Sequence, residues 1–400
     1  MVTISSEKRG ERILQQAQAR SGTITAWRRD FHMHPELGFQ EFRTSAKVAE
    51  TLRDLGLETA TGVGKTGVVA VIGEGSPVVA IRADMDALPL QEKNDVPYAS
   101  QTPNVMHACG HDSHTAMLLG AARILAAMPD RPPGEIRLLF QPCEETDDGE
   151  KSGAERMIDD GALDGVDHVI ALHVSSEMAA GELVIEDGYI TANADNFYAT
   201  IRGVGAHGAH PDLGVDPIYL LGQVINAIQG IRSRRIDPIR PAVVTIGTVH
   251  AGLGENVIPD EARLTGTLRS YDDETREKLI VELERALGVA RALGGDYELR
   301  VHKGCPSTFN DSSVTQVMRG AAADMLPAGA IVRQPASMGG EDFSWMTRRA
   351  PGAMFLLGAK RDDVSRPHHN PLFDLDESVF PSGTALLAET ALRLLEQGKA

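Results

Sequence analysis

The sequence predicts an α/β protein in which a small α+β domain interrupts a larger one. Short apolar runs rich in β-branched residues alternate with helical patterns in the first part of the chain, as in a sheet with parallel strands. Near Asp187 the pattern changes to two helices and about four strands, and the C-terminal part returns to the first pattern. We therefore expect residues 1–186 and 302–400 to form one domain, with residues 187–301 inserted into it.

Each expected element has its own local pattern. Residues 44–56 have helical spacing and end at a glycine, which is a common helix stop. Residues 68–72 and 78–81 are short, apolar and β-branched, like buried strands. The other elements expected in the larger domain are helices at 116–128 and 382–396 and strands at 136–140, 169–174 and 354–357. The elements expected in the inserted domain include helices at 217–232 and 274–293 and strands at 197–202, 242–249 and 262–270.

Length, composition and charge limit the possible functions. A chain of 400 residues is longer than one compact core usually is, which favours two domains. Aromatic residues make up only 4% of the chain, so stacking platforms for single-stranded nucleic acid are not expected. The net charge of −17 repels phosphate backbones and anionic lipids, so we expect neither nucleic-acid nor membrane partners.

The cysteines and the N-terminal residues favour a cytoplasmic location. Three cysteines are too few, and odd in number, for a disulfide framework. Residues 1–20 have a polar, amphipathic helix pattern without the apolar core of a signal peptide. No apolar stretch of the sequence is long enough to span a membrane. We therefore expect a cytoplasmic protein.

The densest chemical signal is the run HACGHDSH at residues 107–114, just ahead of an alanine-rich helix pattern. In an extended segment, Cys109 and His111 would point to the same side. A thiolate near a helix N-terminus can bind a borderline metal, and imidazole suits Zn, Ni, Co or Mn. The alternative is a buried structural cysteine beside surface histidines, but four such groups in so short a run favour a metal site.

Two further signals follow expected strands. Glu144 and Glu145 come after the strand at 136–140, and His173 closes the strand at 169–174. Ligand sites in open α/β sheets lie beyond the carboxyl ends of strands. Adjacent carboxylates point in different directions, so one can bind a metal while the other handles protons. The alternative for the glutamate pair is a solvated acidic loop.

Asp84 and Asp86, which end another strand, share a face by strand periodicity. A carboxylate behind a metal-bound histidine fixes its tautomer, whereas the alternative is a simple strand cap. Near the C-terminus, either His368 or His369 could complete a metal site, and the spacing alone does not choose between them.

In eight motifs, and in the order of those motifs, the chain resembles the M20 metallopeptidase family. The motifs are HACGHDSHTAMLLGAA, FQPCEE, DHVIALHV, GVGAHGAHPDLGVDP, GENVIPD, GTLRS, MGGEDFS and HHNPLFDLDE. The most similar branch contains aminoacylases, hippurate hydrolases and auxin-conjugate amidohydrolases. The resemblance extends from about Phe31 to the C-terminal helix. It implies a mixed-sheet metallopeptidase catalytic domain with an inserted lid or dimerisation domain.

The resemblance also implies a site for two divalent ions, which would be Mn, Zn, Co or Ni. The family pattern places the metal ligands at Cys109, which would bridge the ions, and at His111, Glu145, His173 and His369. His369 is chosen over His368 because the family histidine stands two residues before a proline. The same pattern makes Glu144 the general base and Asp86 the orienting carboxylate, and the ligand set closes without Asp84.

In the inserted domain, His207 matches the histidine that family dimers project into the neighbouring active site. Asn256 and Arg269 match substrate-binding positions. A fixed guanidinium suits a substrate carboxylate in an acidic protein, although a surface arginine on a strand would give the same pattern.

The implied activity is hydrolysis of the amide bond of N-acyl amino acids by metal-activated water, in a homodimer or higher homo-oligomer. A dipeptidase or carboxypeptidase acting on short peptides would use the same chemistry and is the alternative. A non-catalytic binding module would not need the intact Glu144. A structural zinc protein would close its site with four ligands, usually rich in thiolates, which the single cysteine here does not match.

Overall fold

The computed structural model describes residues 6–398, which divide into two compact units. The larger unit comprises Met1–Gly188, Phe309–Pro335 and Trp345–Ala400, of which residues 1–5 and 399–400 lie outside the described part. The smaller unit comprises Tyr189–Thr308 and Ala336–Ser344. Residues 302–308 and 336–344 thus fall in the smaller unit, whereas the sequence pattern puts them in the larger domain. For 302–303 the reason is a strand that continues the smaller unit's sheet.

Eleven α-helices lie in the described residues. They are α1 (Ser6–Gln18), α2 (Ser21–Met33), α3 (Phe42–Asp54), α4 (His111–Ala126), α5 (Gly153–Asp159), α6 (Pro217–Arg234), α7 (Asp273–Leu287), α8 (Val289–Ala292), α9 (Ser312–Met325), α10 (Phe343–Thr347) and α11 (Phe380–Gln397).

Sixteen strands accompany them in the same part of the chain. They are β1 (Glu58–Val63), β2 (Gly67–Glu74), β3 (Val78–Asp84), β4 (Gly134–Gln141), β5 (His168–Ala179), β6 (Leu183–Val184), β7 (Gly188–Tyr189), β8 (Asn193–Arg202), β9 (Ala206–His207), β10 (Ala242–Ala251), β11 (Val257–Ile258), β12 (Glu261–Ser270), β13 (Asp296–Lys303), β14 (Phe309–Asn310), β15 (Ile331–Val332) and β16 (Gly352–Lys360).

The larger unit is built on a mixed sheet of eight strands in the order β1-β2-β4-β3-β5-β16-β6-β15. The central strands β4, β3, β5 and β16 are parallel neighbours, and β1 and β2 join one side in antiparallel fashion. All seven residues of β3 are buried, as expected for a strand covered on both faces. The prediction of an α/β protein with a mixed sheet is confirmed.

Helices cover the sheet of the larger unit and complete its core. Nearly every residue of α4 and α11 is buried, because both helices are apolar on most of their circumference. α4 packs against β3 and α11, and α1 packs on the outside against α11 and α9. The helix expected near residue 1 begins at Ser6, and residues 1–5 of that pattern lie outside the described residues.

The smaller unit contains a four-stranded antiparallel sheet in the order β10-β12-β8-β13. Alternate residues of β8 are buried, which is the pattern of a sheet with one covered face. Helices α6 and α7 pack on that face around a core that includes Phe197, Val224 and Leu283. Strand β10 forms one edge of the sheet, and its last five residues are exposed.

None of the helices in residues 6–398 is both long enough and apolar enough to cross a membrane.

Candidate active site

The candidate site lies where four parallel strands of the larger unit end. Because ligand sites in α/β sheets lie beyond the carboxyl ends of strands, residues far apart in sequence meet there. Several acidic and histidine residues belong to or follow these ends: Asp84 and Asp86 at β3, Glu144 and Glu145 after β4, His173 in β5, and His368 and His369 after β16.

Cys109 and His111 reach the same place from the start of α4. Gly110, between them, has a left-handed φ of 101°, and α4 begins at His111. A Cβ on Gly110 would lie 2.4 Å from the side chain of Val174, so only glycine fits there. The expectation of an extended segment is therefore wrong, because a left-handed turn leads directly into the helix. Cys109 and His111 nevertheless lie in one group of potential ligands.

Asp86 holds two of the predicted ligands at once. Its Oδ1 lies 3.1 Å from His111 Nδ1, and its Oδ2 accepts a hydrogen bond of 3.0 Å from the backbone N–H of Glu145. Asp86 and His111 are both buried. Because Nδ1 of His111 donates to the carboxylate, Nε2 is the nitrogen that would bind a metal once its own proton is lost.

Two buried atoms in this group make no hydrogen bond of normal geometry within the described residues. They are His111 Nε2 and Glu145 Oε1, which lie 3.8 Å apart. Buried polar atoms are nearly always satisfied, so an imidazole nitrogen and a carboxylate oxygen buried without partners need an explanation. A divalent cation between them supplies it, and the donor set therefore fits a metal.

Cys109 is the residue common to two groups of candidate ligands. Its Sγ lies with His111 and His173 in one group and with Glu145 and His369 in the other, and the ligand atoms of each group are within 4.8 Å of one another. His173 Nε2 is 3.5 Å from Sγ, and its Nδ1 donates to the carbonyl of the next residue. His173 is thereby set in the tautomer that leaves Nε2 available.

The protonation of Cys109 and His111 depends strongly on their surroundings. Burial and, after it, the charge of Glu145 raise the pKa of Cys109 well above its usual range. Burial lowers the pKa of His111, but Asp84 and Asp86 outweigh it, and the pKa lies well above its usual range. Metals bind thiolate and neutral imidazole, so a divalent cation at this place would displace both protons.

Asp84 is committed to other partners. Its Oδ2 accepts a hydrogen bond of 2.7 Å from Arg82, and its Oδ1 lies 2.6 Å from His114 Nδ1. Burial opposes its ionisation, but Arg82, His111 and His114 hold its pKa well below its usual range. Nε2 of His114 accepts the backbone N–H of Val174 at 3.0 Å, and burial lowers the pKa of His114 to about 4. Asp84 is thus an ionised carboxylate paired with Arg82, and His114 is a neutral imidazole whose ring contacts that of His173.

The two C-terminal histidines both approach Cys109. His368 is largely buried, and its Nδ1 is 3.7 Å from Sγ of Cys109. His369 is about half exposed, and its Nε2 lies 3.3 Å from Oε1 of Glu145. The backbone of His369 is left-handed, with a φ of 60°, which is uncommon for a residue other than glycine. The sequence alone left both histidines open and the family pattern selected His369, so the approach of His368 to Cys109 is additional to that choice.

Glu41 is a residue near the site that none of the motifs indicated. It is fully buried against the turn that follows β4. In the sequence, a single acidic residue at the start of a helix pattern indicates an N-cap, so no signal there points to the site.

His207, Asn256 and Arg269 lie in the smaller unit. Strand β9 pairs with β11, so His207 is beside Asn256, whose carbonyl accepts the N–H of Gly208 at 2.8 Å. His207 and Asn256 are exposed. Arg269 lies on β12 and is half-buried, and its guanidinium makes no hydrogen bond or ion pair within residues 6–398. Its Nη1 is 3.3 Å from the position that a Cβ of Gly340 would take.

Across residues 80–393, more than half of its length, the chain matches the family model described as peptidase family M20/M25/M40. The chain belongs to this family. The M20 protein is 44% identical to the N-acyl-L-amino acid amidohydrolase of Geobacillus stearothermophilus over 290 residues, which cover 72% of this chain and 78% of that relative. It is 41% identical to the thermostable carboxypeptidase 2 of Saccharolobus solfataricus over 374 residues, which cover 92% and 94% of the two chains.

Among solved structures, the M20 protein is similar to the YXEP protein of Bacillus subtilis, a dinuclear metal-binding peptidase of the M20 family. The two chains are 34% identical with a TM-score of 0.81, and the match covers 94% of this chain and 99% of the other. The resemblance found in the sequence motifs is confirmed. The M20 protein is a hydrolase of the amidohydrolase type, with residues grouped to bind metal.

Proposed function

We propose that this M20 protein hydrolyses the amide bond of N-acyl amino acids with water and two divalent metal ions. The observation that carries the proposal is the position of Cys109 Sγ, which belongs to two groups of ligand atoms at once. An atom shared in this way is what a bridging ligand of a two-metal site requires. Mn, Zn, Co and Ni are the candidate ions, because mixed thiolate, imidazole and carboxylate ligands suit them.

In this proposal His111 and His173 would hold one ion, Glu145 and His369 would hold the other, and Cys109 would be a ligand of both. The ions would polarise the substrate carbonyl and lower the pKa of water into the neutral range. Asp86 supports both positions, because one carboxylate orients the imidazole of His111 and fixes the backbone of Glu145.

Glu144 is the proposed carrier of the proton. Its Oε2 is 3.9 Å from His111 Nε2, and its side chain is 11% exposed, so it adjoins the ligand group and still reaches solvent. We assign to it the proton of the attacking water and the delivery of that proton to the leaving nitrogen. Such a delivery is needed because an amine leaves poorly unless it is protonated.

Arg269 is the proposed partner of the substrate carboxylate. A half-buried guanidinium without a protein carboxylate is unusual in a chain whose net charge is −17. A planar fork of donors matches the carboxylate of an amino acid. Asn256 is proposed to contribute a further hydrogen bond to the substrate.

His207 is proposed to act in the active site of a second copy of the chain, where it would stabilise the oxyanion of the tetrahedral intermediate. Two features of the smaller unit support a homodimer. Strand β10 is an unpaired edge whose end is exposed, and Val249 on it is 44% exposed. Leu253 in the following loop is 91% exposed. An open edge with apolar side chains is suited to pair with the same edge of another copy.

The alternative function is a carboxypeptidase or dipeptidase acting on short peptides. The 41% identity to the thermostable carboxypeptidase 2 favours it, and the proposed metal and proton chemistry would be the same. None of the three cysteines, Cys109, Cys143 and Cys305, forms a disulfide within the described residues, which supports a cytoplasmic location for either activity.

Amine release from a panel of N-acetyl and N-benzoyl amino acids and dipeptides tests the proposal. Protein loaded with Mn or Zn should hydrolyse the N-acyl amino acids, and a chelator should abolish the reaction. Preference for dipeptides would support the alternative. Protein that holds two metal ions and hydrolyses no member of the panel would contradict both functions.

A further inference from the structure

The side chain of Glu41 does not cap helix α3, although Glu41 is at the N-cap position. Glu41 is the N-cap residue of α3, where an acidic side chain normally accepts the first helical N–H groups. Its side chain makes no such bond. The carboxylate of Glu36 caps α3 instead and accepts the N–H groups of Arg43 at 2.9 Å and Thr44 at 2.8 Å. The helix therefore does not need the Glu41 carboxylate, although that carboxylate is fully buried.

Glu41 instead contacts the turn between β4 and Glu145. Its Oε1 accepts a hydrogen bond of 2.8 Å from the backbone N–H of Cys143, and its Oε2 accepts one of 2.5 Å from the hydroxyl of Thr66. Cys143 has a left-handed backbone with a φ of 47°, which a residue with a side chain rarely adopts. Such a conformation persists only where its surroundings hold it.

The rest of the contacts of Cys143 leave the turn little freedom. Its carbonyl accepts the N–H of Gly153 at 2.9 Å. A Cβ on Gly38 would lie 2.6 Å from Cys143 Sγ, and a Cβ on Gly153 would lie 1.6 Å from the carbonyl oxygen of Pro142. The turn therefore packs directly on two stretches of backbone, and its two peptide groups at Cys143 are bonded from outside.

Two carboxylates hold the turn, one at each end. Glu41 accepts the N–H of Cys143, Asp86 accepts the N–H of Glu145, and Glu144 stands between these two anchors. Burial and the negative charge of Asp86 raise the pKa of Glu41 to about 7. A carboxylate that is buried beside a second negative charge is costly, which indicates a role for Glu41 at this place.

We propose that Glu41 is a positioning residue that directs Glu144 and Glu145 through the backbone N–H of Cys143. This inference rests on the proposed function, in which Glu144 carries the proton and Glu145 holds a metal. The Glu41 carboxylate acts through its hydrogen bond to Cys143 and not through a bond to Glu144 or Glu145 themselves. It sets the backbone that aims the two side chains, as supporting residues of metal sites do.

Substitution of Glu41 separates this role from simple stability. In Glu41→Ala, kcat should fall by about 10- to 100-fold, and titration of the metal-free protein with Zn or Mn should show weaker binding of one of the two ions by a similar factor. Glu41→Gln should restore both properties to within about threefold of wild type, because the amide oxygen still accepts from Cys143 and the NH₂ donates to Thr66.

Glu36→Ala is the matched control. It removes a carboxylate of the same segment, and the hydrogen bonds of that carboxylate go to the N–H groups of Arg43 and Thr44 in α3. This variant should lower the unfolding temperature but keep the kcat of the folded protein and the affinity for both ions. If Glu41→Ala is poorly folded, Glu41→Asp tests the inference in its place. It keeps a carboxylate at this position, but the side chain is one methylene too short to reach the N–H of Cys143. It should show the same loss of kcat and metal affinity.

The inference is overturned if Glu41→Ala, or Glu41→Asp in its place, binds both ions with wild-type affinity and turns over within twofold of wild type. It is also overturned if the defect of that variant equals that of Glu36→Ala after correction for folded protein. A wild-type protein that binds two ions but releases no amine would overturn the proposed function alone. In that case the metal titration would still decide the role of Glu41.

Discussion

Most of the candidate metal ligands in the larger unit are buried and hydrogen-bonded, whereas the substrate-binding candidates of the smaller unit are exposed or only half-buried. His111 is fully buried and fixed by Asp86. His207 is exposed, and Arg269 has no ion pair within the described residues. The difference teaches that the candidate ligands are held in place by the fold itself, whereas the proposed roles of His207 and Arg269 require a substrate or another copy of the chain. Preorganisation in the larger unit costs no rearrangement at the moment of reaction.

The largest effect should come from the buried site. In Glu144→Gln the proton carrier is lost while the metal ligands remain, so kcat should fall by about 10³-fold and both ions should stay bound. Steady-state kinetics and metal analysis of the same sample measure the two properties. Activity within tenfold of wild type, with both metals present, would remove Glu144 from its assigned role.

The next effect tests whether the smaller unit contributes to chemistry. His207→Ala should lower kcat by about 100-fold, as the loss of one oxyanion donor does. If His207 acts across a dimer, mixing this variant with Glu144→Gln under conditions of subunit exchange should restore up to about a quarter of wild-type activity, because half of the random dimers contain one complete site. No recovery in a mixture shown to contain heterodimers would place His207 outside the neighbouring site.

A smaller effect measures the cost of burial in the larger unit. The pKa of Glu41, raised to about 7 by burial and by Asp86, exceeds that of the unfolded chain. The contribution of this group to stability is therefore complete below about pH 4.5 and is lost as the pH rises through 7. For metal-free protein, wild type should lose about 2 kcal/mol more than Glu41→Gln in the free energy of unfolding between pH 5 and pH 8. Urea denaturation measures this change, and an equal change in the free energy of unfolding of the two proteins between pH 5 and pH 8 would contradict the raised pKa.

The smallest effect concerns substrate binding. Arg269→Ala should raise KM for an N-acyl amino acid about tenfold, because a charged hydrogen-bonded pair is lost. For the matching N-acyl amine, which lacks the carboxylate, KM should not change. Arg269→Lys should recover only part of the loss, since it restores charge without the planar fork. An equal rise in KM for both substrates would argue against a carboxylate contact.

Local patterns predicted most of the elements but not their ends. The helix expected at 44–56 is α3 at Phe42–Asp54, and the strand expected at 169–174 is the first half of β5, which continues to Ala179. The single helix expected at 274–293 is divided at Gly288 into α7 and α8. These differences arise because a strand or helix ends where its tertiary partners end, which the local period does not record.

In the site, the candidate ligands that stand in recognisable motifs were predicted, whereas Glu41, which stands in none of them, was missed. Cys109 and His111 are two residues apart, and the glutamate pair is adjacent, so their chemistry is visible in the sequence. Glu41 meets Cys143 across 102 residues and reads locally as a helix cap. His368 reaches Cys109 across 259 residues. Such pairings depend on which strands are neighbours in the sheet, and no single segment of the sequence specifies that order.

The order of the strands also determines when the site can form during synthesis of the chain. The site needs β16 beside β5 and the histidines that follow it, and 259 residues of chain separate Cys109 from His368. At ribosomal speeds of 5–20 residues per second, Cys109 emerges roughly 10–50 s before its last neighbours. During that interval the nascent chain carries an unprotected thiol and an unpaired edge at β5. A polypeptide released early would therefore expose the thiol of Cys109 to oxidation and the edge of β5 to association with other chains.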